Sequence, residues 1–175
     1  MVIQVTWLFI FILNLLILWS TALSGKGTMY TPAGLIIWVF TMVYLPFTPQ
    51  PQLTSILTWN IIGTIILLLG LVLLTAARIK FIQTGPFSDY SQPPRLITAG
   101  PYKLVRHPQS LALILIFIGI SVARGVINCL YLIPVIIFFH WVESFLEEKI
   151  ILEKKFPNQY REYQQRVGML LPKFR

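Results

Sequence analysis

Uninterrupted apolar runs constrain this chain more than any other feature, because each approaches the roughly 20 residues that carry a helix across a bilayer. The first covers about residues 3–23, the second about 31–47 and the third about 56–77. A longer stretch, 111–141, is interrupted by "ARG" at 123–125 and reads as two helices in a tight hairpin. Backbone polar groups in lipid must be satisfied within the segment, so helices are expected throughout. The expected fold is therefore an all-α integral membrane protein with about five transmembrane helices, the last two a hairpin. With 56% hydrophobic and only 11% charged residues, a soluble domain of 175 residues is excluded.

The opening run lacks the leading cation and short apolar core of a cleavable signal, and is expected to stay as a span. A single cysteine, Cys129, excludes a disulfide framework and a thiolate metal cluster, and reads as a small apolar core residue. The net charge of +8 could point to nucleic acid, but its placement points to topology. If loops alternate sides, Lys26, the five cations from Arg78 to Arg106 and the seven from Lys149 to Arg175 share one side. Only Arg124 faces the other. The positive-inside rule then places the N-terminus outside, with the 78–108 loop and the C-terminus cytoplasmic. The basic excess is accounted for by topology and anionic headgroups, and no nucleic-acid partner is expected.

One membrane domain, 1–175, is expected: three spans in 1–77, then a catalytic half in 78–175. Glycines and prolines at Gly85, Pro86, Pro93, Pro94, Gly100, Pro101 and Pro108 punctuate 78–108 into turns and short extended pieces. From Glu143 onward "ESFLEEKIILEKKF" reads as helix, Pro157 ends or bends it, and "NQYREYQQRV" continues as an amphipathic helix. This tail is expected to lie along the membrane surface or to fold back over the loop.

Within "RLITAGPYKLVRHPQS", the bland reading makes Arg95, Lys103 and Arg106 snorkelling anchors beside a span. Two observations weigh against it. Pro108 suits the first turn of a helix, which puts His107 at a helix N-terminus where free N–H groups favour an anionic ligand. The acidic residues Glu143, Glu147 and Glu148 lie at the far end of the hairpin, whose short turn makes its two ends neighbours. His107 and Glu148 are thus expected to face one another across a cleft at the membrane surface. A carboxylate there needs a partner: a cation such as Arg106, or a positively charged ligand.

"GPYKLVRHPQS", a helical hairpin and "EEKIILEKKFPNQYREYQQRV" resemble the isoprenylcysteine carboxyl methyltransferases and the related phospholipid methyltransferases. Their shared pattern is Gly-x-Tyr, Arg-His-Pro-x-Tyr, a hairpin, then Glu-Glu and Phe-Gly-x-x-Tyr-x-x-Tyr. The resemblance covers Arg95 to Val167. Ser110 stands where the family has tyrosine, and Pro157 where it has glycine. The resemblance implies S-adenosylmethionine bound by loop and hairpin, at Pro94, Arg95, Leu96, Ile97, Tyr102, His107, Pro108, Gln109, Ser110 and Glu148, with a weaker contact at Gln83. It implies a methyl acceptor against Ser144, and chemistry resting on Tyr102, Arg106, His107 and Glu148. In this reading Glu148 takes the cofactor's ammonium, His107 its carboxylate or a ribose hydroxyl, and Tyr102 lies near the sulfonium. Arg106 fixes the loop by pairing with Glu143 or Glu147. The implied reaction is methyl transfer to a lipophilic acceptor entering from the bilayer, foremost an isoprenylcysteine-like carboxylate and alternatively a phospholipid amine.

Other readings compete. A nicotinamide-dependent, sterol-type membrane reductase shares "RHP" and tyrosine-rich elements. His140, Glu143 and Glu147, spaced i, i+3, i+7, could hold a metal, although His140 reads more simply as a satisfied helix-end histidine. A non-enzymatic scaffold would use the same charges as a structural network. Trp7, Trp19, Trp38, Trp59 and Trp141 read as interfacial belts.

Overall fold

The computed structural model describes Ile12 and residues 44–53, 57–84 and 95–173. Apart from Ile12 and 44–47, the first two expected spans lie outside the described residues, as does Pro94. Among the described residues every regular element is helical. Helix α1 is Leu57–Thr84, α2 is Pro108–Arg124 and α3 is Ile127–Glu147. A π-helical turn, Glu148–Leu152, and a last short turn, Glu153–Lys155, prolong α3. Pro157–Arg166 forms α4. Two helical stretches, Leu57–Thr84 and Ile127–Lys155, are long and apolar enough to cross a membrane. The apolar α2, at 17 residues, is shorter.

Helix α1 is apolar all round, and the only residues it buries fully are Gly63, Gly70 and Ala77. Their heptad spacing lays small residues in one stripe, and large side chains such as Leu57, Leu69 and Val72 point outward. In lipid, apolar surface gains little by leaving its surroundings, so helices associate through close backbone packing at small residues. The approach is tight enough that a Cβ on Gly63 would lie 2.2 Å from the Ala123 backbone nitrogen. One on Gly119 would lie 2.4 Å from the Leu67 nitrogen. Gly63 thus meets the end of α2 and Gly70 its middle, at Ile116, so the two helices run antiparallel.

At 28 residues α1 is about 42 Å long, more than the hydrocarbon core it could span. The expected loop from Arg78 therefore starts later. Nothing between Ala76 and Thr84 breaks a helix, and Arg78, Lys80 and Gln83 ride its final turns, with Gln83 exposed.

The α2–α3 hairpin is closed by Gly125, whose φ of 61° lets its N–H return to Ser121 and Val122 carbonyls. The turn is pinned from outside by hydrogen bonds Leu53 N–H to Gly125 O and Ile127 N–H to Pro51 O. Arg124 donates to Pro46 O at 3.1 Å and lies over the Phe47 ring. Phe117, Val126, Cys129 and Ile136 fill the interior between the two helices. The hairpin's other end is strapped by the C-terminal segment, where Arg106 N–H bonds Gly168 O at 2.8 Å and His107 N–H bonds Met169 O at 3.1 Å. The tail thus folds back over the loop. Its helix α4 buries Tyr160 and Tyr163 and turns Arg161, Glu162 and Arg166 outward.

Candidate functional site

Pro108 opens α2, and His107 occupies the position just before it. Proline belongs there because its fixed φ suits the first turn and no intrahelical donor is lost. The His107 ring does not cap its own helix but lies between two consecutive glutamates of the opposite strut. Nε2 is 3.0 Å from Glu148 Oε1, and Nδ1 is 3.4 Å from Glu147 Oε2. Neighbours on an α-helix diverge by about 100°. Here the helix widens into the π turn at Glu148, a distortion frequent at functional sites, and both carboxylates reach one ring.

A neutral imidazole carries a single N–H and could donate to only one of them. With a carboxylate at each nitrogen, His107 is held as imidazolium. Burial alone would lower its pKa, but the hydrogen bonds and charges of Glu147 and Glu148 outweigh that and push it up to about 9.

Arg106, one residue earlier, grips the same carboxylate with its fork: Nε to Glu148 Oε1 at 2.8 Å and Nη2 to Oε2 at 3.0 Å. Its remaining nitrogen donates to the carbonyls of Val167 and Gln164. Gln164 Nε2 donates to Glu148 Oε2 at 2.9 Å. Each oxygen of Glu148 thus accepts two donors, and the buried side chain is saturated. Glu147 differs, its side chain being 33% exposed against 4% for Glu148. Two positive and two negative groups balance across the cluster, as burial of charge requires.

Around this core the turn Gly100–Lys103 presents Tyr102, which is buried. Its hydroxyl accepts from Gln109 Nε2 at 3.0 Å, and its carbonyl accepts from the Tyr163 hydroxyl. Arg78, at the end of α1, donates to Gln109 Oε1 at 3.5 Å. Inside the hairpin, Ser144 Oγ lies 3.4 Å from Ser110 Oγ, both buried. Leu96 and Ile97 are half-buried in the extended segment before the turn, and Arg95 is exposed.

Several expectations change in detail. His107 and Glu148 meet directly instead of across a cleft, because the strapped loop drives the histidine onto the helix end. Arg106 pairs with Glu148, not with Glu143 or Glu147. Glu143 is instead taken by His140, whose Nδ1 lies 2.7 Å from Glu143 Oε2 in the buried interior. Glu147 turns to His107, so the i, i+3, i+7 spacing of these three residues does not bring them onto one centre. Gln164, Tyr160, Tyr163 and the Val167–Met169 strap join the site without having been expected there. Their sequence signal is the i, i+3, i+4 spacing of Tyr160, Tyr163 and Gln164, which puts three side chains on the inner face of α4.

A helical hairpin, a buried charge cluster at one end of it and two helices apolar and long enough to cross a membrane frame a site built without any strand among the described residues. Comparison at the family level matches residues 58–159, more than half of the chain, to the phospholipid methyltransferase family. The chain belongs to that family, which carries membrane methyltransferase activity and generally draws on S-adenosylmethionine as methyl donor. The match spans α1, the loop, the hairpin and the start of α4, and it favours methyl transfer over the hydride transfer of a sterol-type reductase. No curated protein and no solved structure matches the chain.

Proposed function

We propose that this protein transfers a methyl group from S-adenosylmethionine to a lipophilic acceptor that reaches the hairpin from the bilayer, and that the acceptor group is an isoprenylcysteine-like carboxylate. The observation that carries the reading is the balanced cluster of Arg106, His107, Glu147 and Glu148. The amino-acid end of the cofactor bears one ammonium and one carboxylate, the same pair of charges that the cluster satisfies internally. Glu147, partly exposed, and Glu148 suit the ammonium, while Arg106 suits the carboxylate. Exchange of internal for external partners keeps each charge of the cofactor's amino-acid end paired, which offsets part of its desolvation. When bound, the cofactor supplies an activated methyl group on a sulfonium. By the family resemblance Tyr102, Leu96, Ile97, Pro108, Gln109 and Ser110 would shape the remainder of the site. By the same resemblance Pro94 and Arg95 would also contact the cofactor, and Ser144, against Ser110, would meet the acceptor.

The chain's work in this reaction is alignment and exclusion of water. A carboxylate acceptor needs no proton removed, which suits a site whose buried histidine already holds both of its protons. A phospholipid amine is a second reading, favoured by the family's description, and its proton would pass to the partly exposed Glu147. The basic loop and tail are assigned to the cytoplasmic face and the N-terminus to the outside, on the distribution of lysine and arginine.

The test is incubation of the purified full chain with methyl-labelled S-adenosylmethionine and two acceptors, an S-farnesylated cysteine with a free carboxylate and vesicles of phosphatidylethanolamine. Label on the carboxylate supports the first reading. Label only on the amine lipid replaces it by the second, and label on neither rejects both.

A further inference from the structure

We propose that Arg78, on the final turns of α1, holds the anionic group of the methyl acceptor. This rests on the methyl-transfer reading above and adds α1 to the site. The register of the α1–α2 contact brings the residue there. Gly63 meets Ala123 and Gly70 meets Ile116, so one further heptad step along both helices sets Ala77 opposite Gln109. Ala77 is fully buried, and Arg78 beside it donates to Gln109 Oε1 at 3.5 Å. Gln109 Nε2 in turn donates to the Tyr102 hydroxyl at 3.0 Å. The charges of Arg78 and Glu147 both bear on that hydroxyl, which ties the arginine to the partly exposed edge of the His107 cluster.

The bland role for an arginine at the end of a span is to snorkel toward head groups. Two observations weigh against it. The guanidinium turns to α2 and the loop, where it finds only a long bond to a neutral amide. Its charge also stays unmatched. The ion pairs among the described residues commit Glu143 to His140, Glu147 to His107, Glu148 to Arg106 and His107, and Glu153 to Lys149. Arg78 is in none of them, and its side chain is exposed.

What the position lacks is an oxyanion. Arg78 is the first charged residue after the apolar stretch of α1, at the depth where the polar end of a lipophilic molecule comes to rest. The planar fork of arginine offers two parallel donors that match a carboxylate or a phosphate. Both acceptors considered above carry such a group, the carboxylate of a prenylcysteine or the phosphate of a phospholipid. A carboxylate gripped through one oxygen keeps the other free to attack, and a gripped phosphate keeps the amine free. Either way the reacting end would lie beside Tyr102 and Gln109 while the hydrocarbon stays in lipid.

The test uses the full chain in mixed lipid–detergent micelles, methyl-labelled S-adenosylmethionine and the two acceptors named above. Arg78→Gln should raise the acceptor KM about tenfold, as loss of one charge-assisted contact implies, with kcat and the S-adenosylmethionine KM within about twofold of wild type. Arg78→Lys should recover part of the loss, and Lys154→Gln, which removes another exposed cation, should change neither KM. Because an exposed charge is screened, the wild-type acceptor KM should rise with salt, and less so in Arg78→Gln. Whichever acceptor gains the label, that rise in its KM upholds the proposal and tells whether a carboxylate or a phosphate is held. An unchanged acceptor KM overturns it. So does a parallel loss of kcat and cofactor affinity, which would mark a packing role. A wild type that labels neither acceptor overturns the methyltransferase reading as well, whereas an active wild type with an indifferent variant removes Arg78 alone.

Discussion

His107 makes the stability of this protein depend on pH in a direction fixed by its surroundings. Its folded pKa of about 9 stands well above the ordinary value of 6.5. Between those values the native chain holds a proton that the unfolded chain has released, so stability falls as pH rises. The contribution is fully present below about pH 6.5 and is lost by about pH 9. Each tenfold gain in proton affinity on folding is worth roughly 1.36 kcal/mol, so the imidazolium contributes about 3 kcal/mol. For a chain of this length that corresponds to about 6–12 °C in melting temperature. Thermal unfolding in detergent, followed from pH 6 to 9.5, should show the decline in wild type and a flat profile in His107→Gln. A flat wild-type profile, or an equal slope in the variant, would show that the two carboxylates do not hold the ring protonated.

Three further outcomes follow from the packing and the cluster. Gly63→Ala forces a methyl to within 2.2 Å of α2 backbone, whereas Gly70→Ala meets its nearest atoms at 2.9 Å, one of them on the Ile116 side chain. Gly63→Ala should therefore cost about 1–3 kcal/mol or more and Gly70→Ala less, read as recovery of folded protein after heating. Arg106→Lys keeps the charge but loses the fork that grips Glu148. It should lower the melting temperature and weaken S-adenosylhomocysteine binding, while Lys103→Arg, an exposed change, should do neither. Tyr163→Phe removes the bond to the Tyr102 carbonyl and should cost about 1 kcal/mol, with faster amide exchange in 100–107.

The hairpin was legible because its signals are local. The apolar run, the break at 123–125 and the proline after His107 each act within a turn or two, and the bounds of α2 and the start of α3 follow from them, whereas α3 runs past the apolar end at 141. The neighbourhood of His107 and Glu148 was also legible, since a short turn between two helices of similar length leaves its ends side by side. The partners were not. Which of three nearby glutamates meets Arg106 depends on the π turn at Glu148, and no residue pattern announced that extra width. The third span illustrates another limit, because apolarity ends near Ala77 while helix continues to Thr84. Charge marks where lipid stops, not where hydrogen bonding stops. The heptad Gly63, Gly70, Ala77 was visible in the sequence as three small residues, yet its meaning required a partner helix. The tail was the least legible part, since the Val167–Met169 strap acts through backbone groups that any sequence could supply, and Gln164 is marked only by its helical spacing from Tyr160 and Tyr163.

The exchange of internal for external charge partners is tested by titrating S-adenosylhomocysteine into wild type and Glu148→Gln, with circular dichroism to establish that both are helical. Saturable one-to-one binding by wild type, weakened at least about tenfold in the folded variant, is the expected result. Equal affinity in the two proteins would mean that the cluster only braces the hairpin, and that the cofactor's ammonium is held elsewhere.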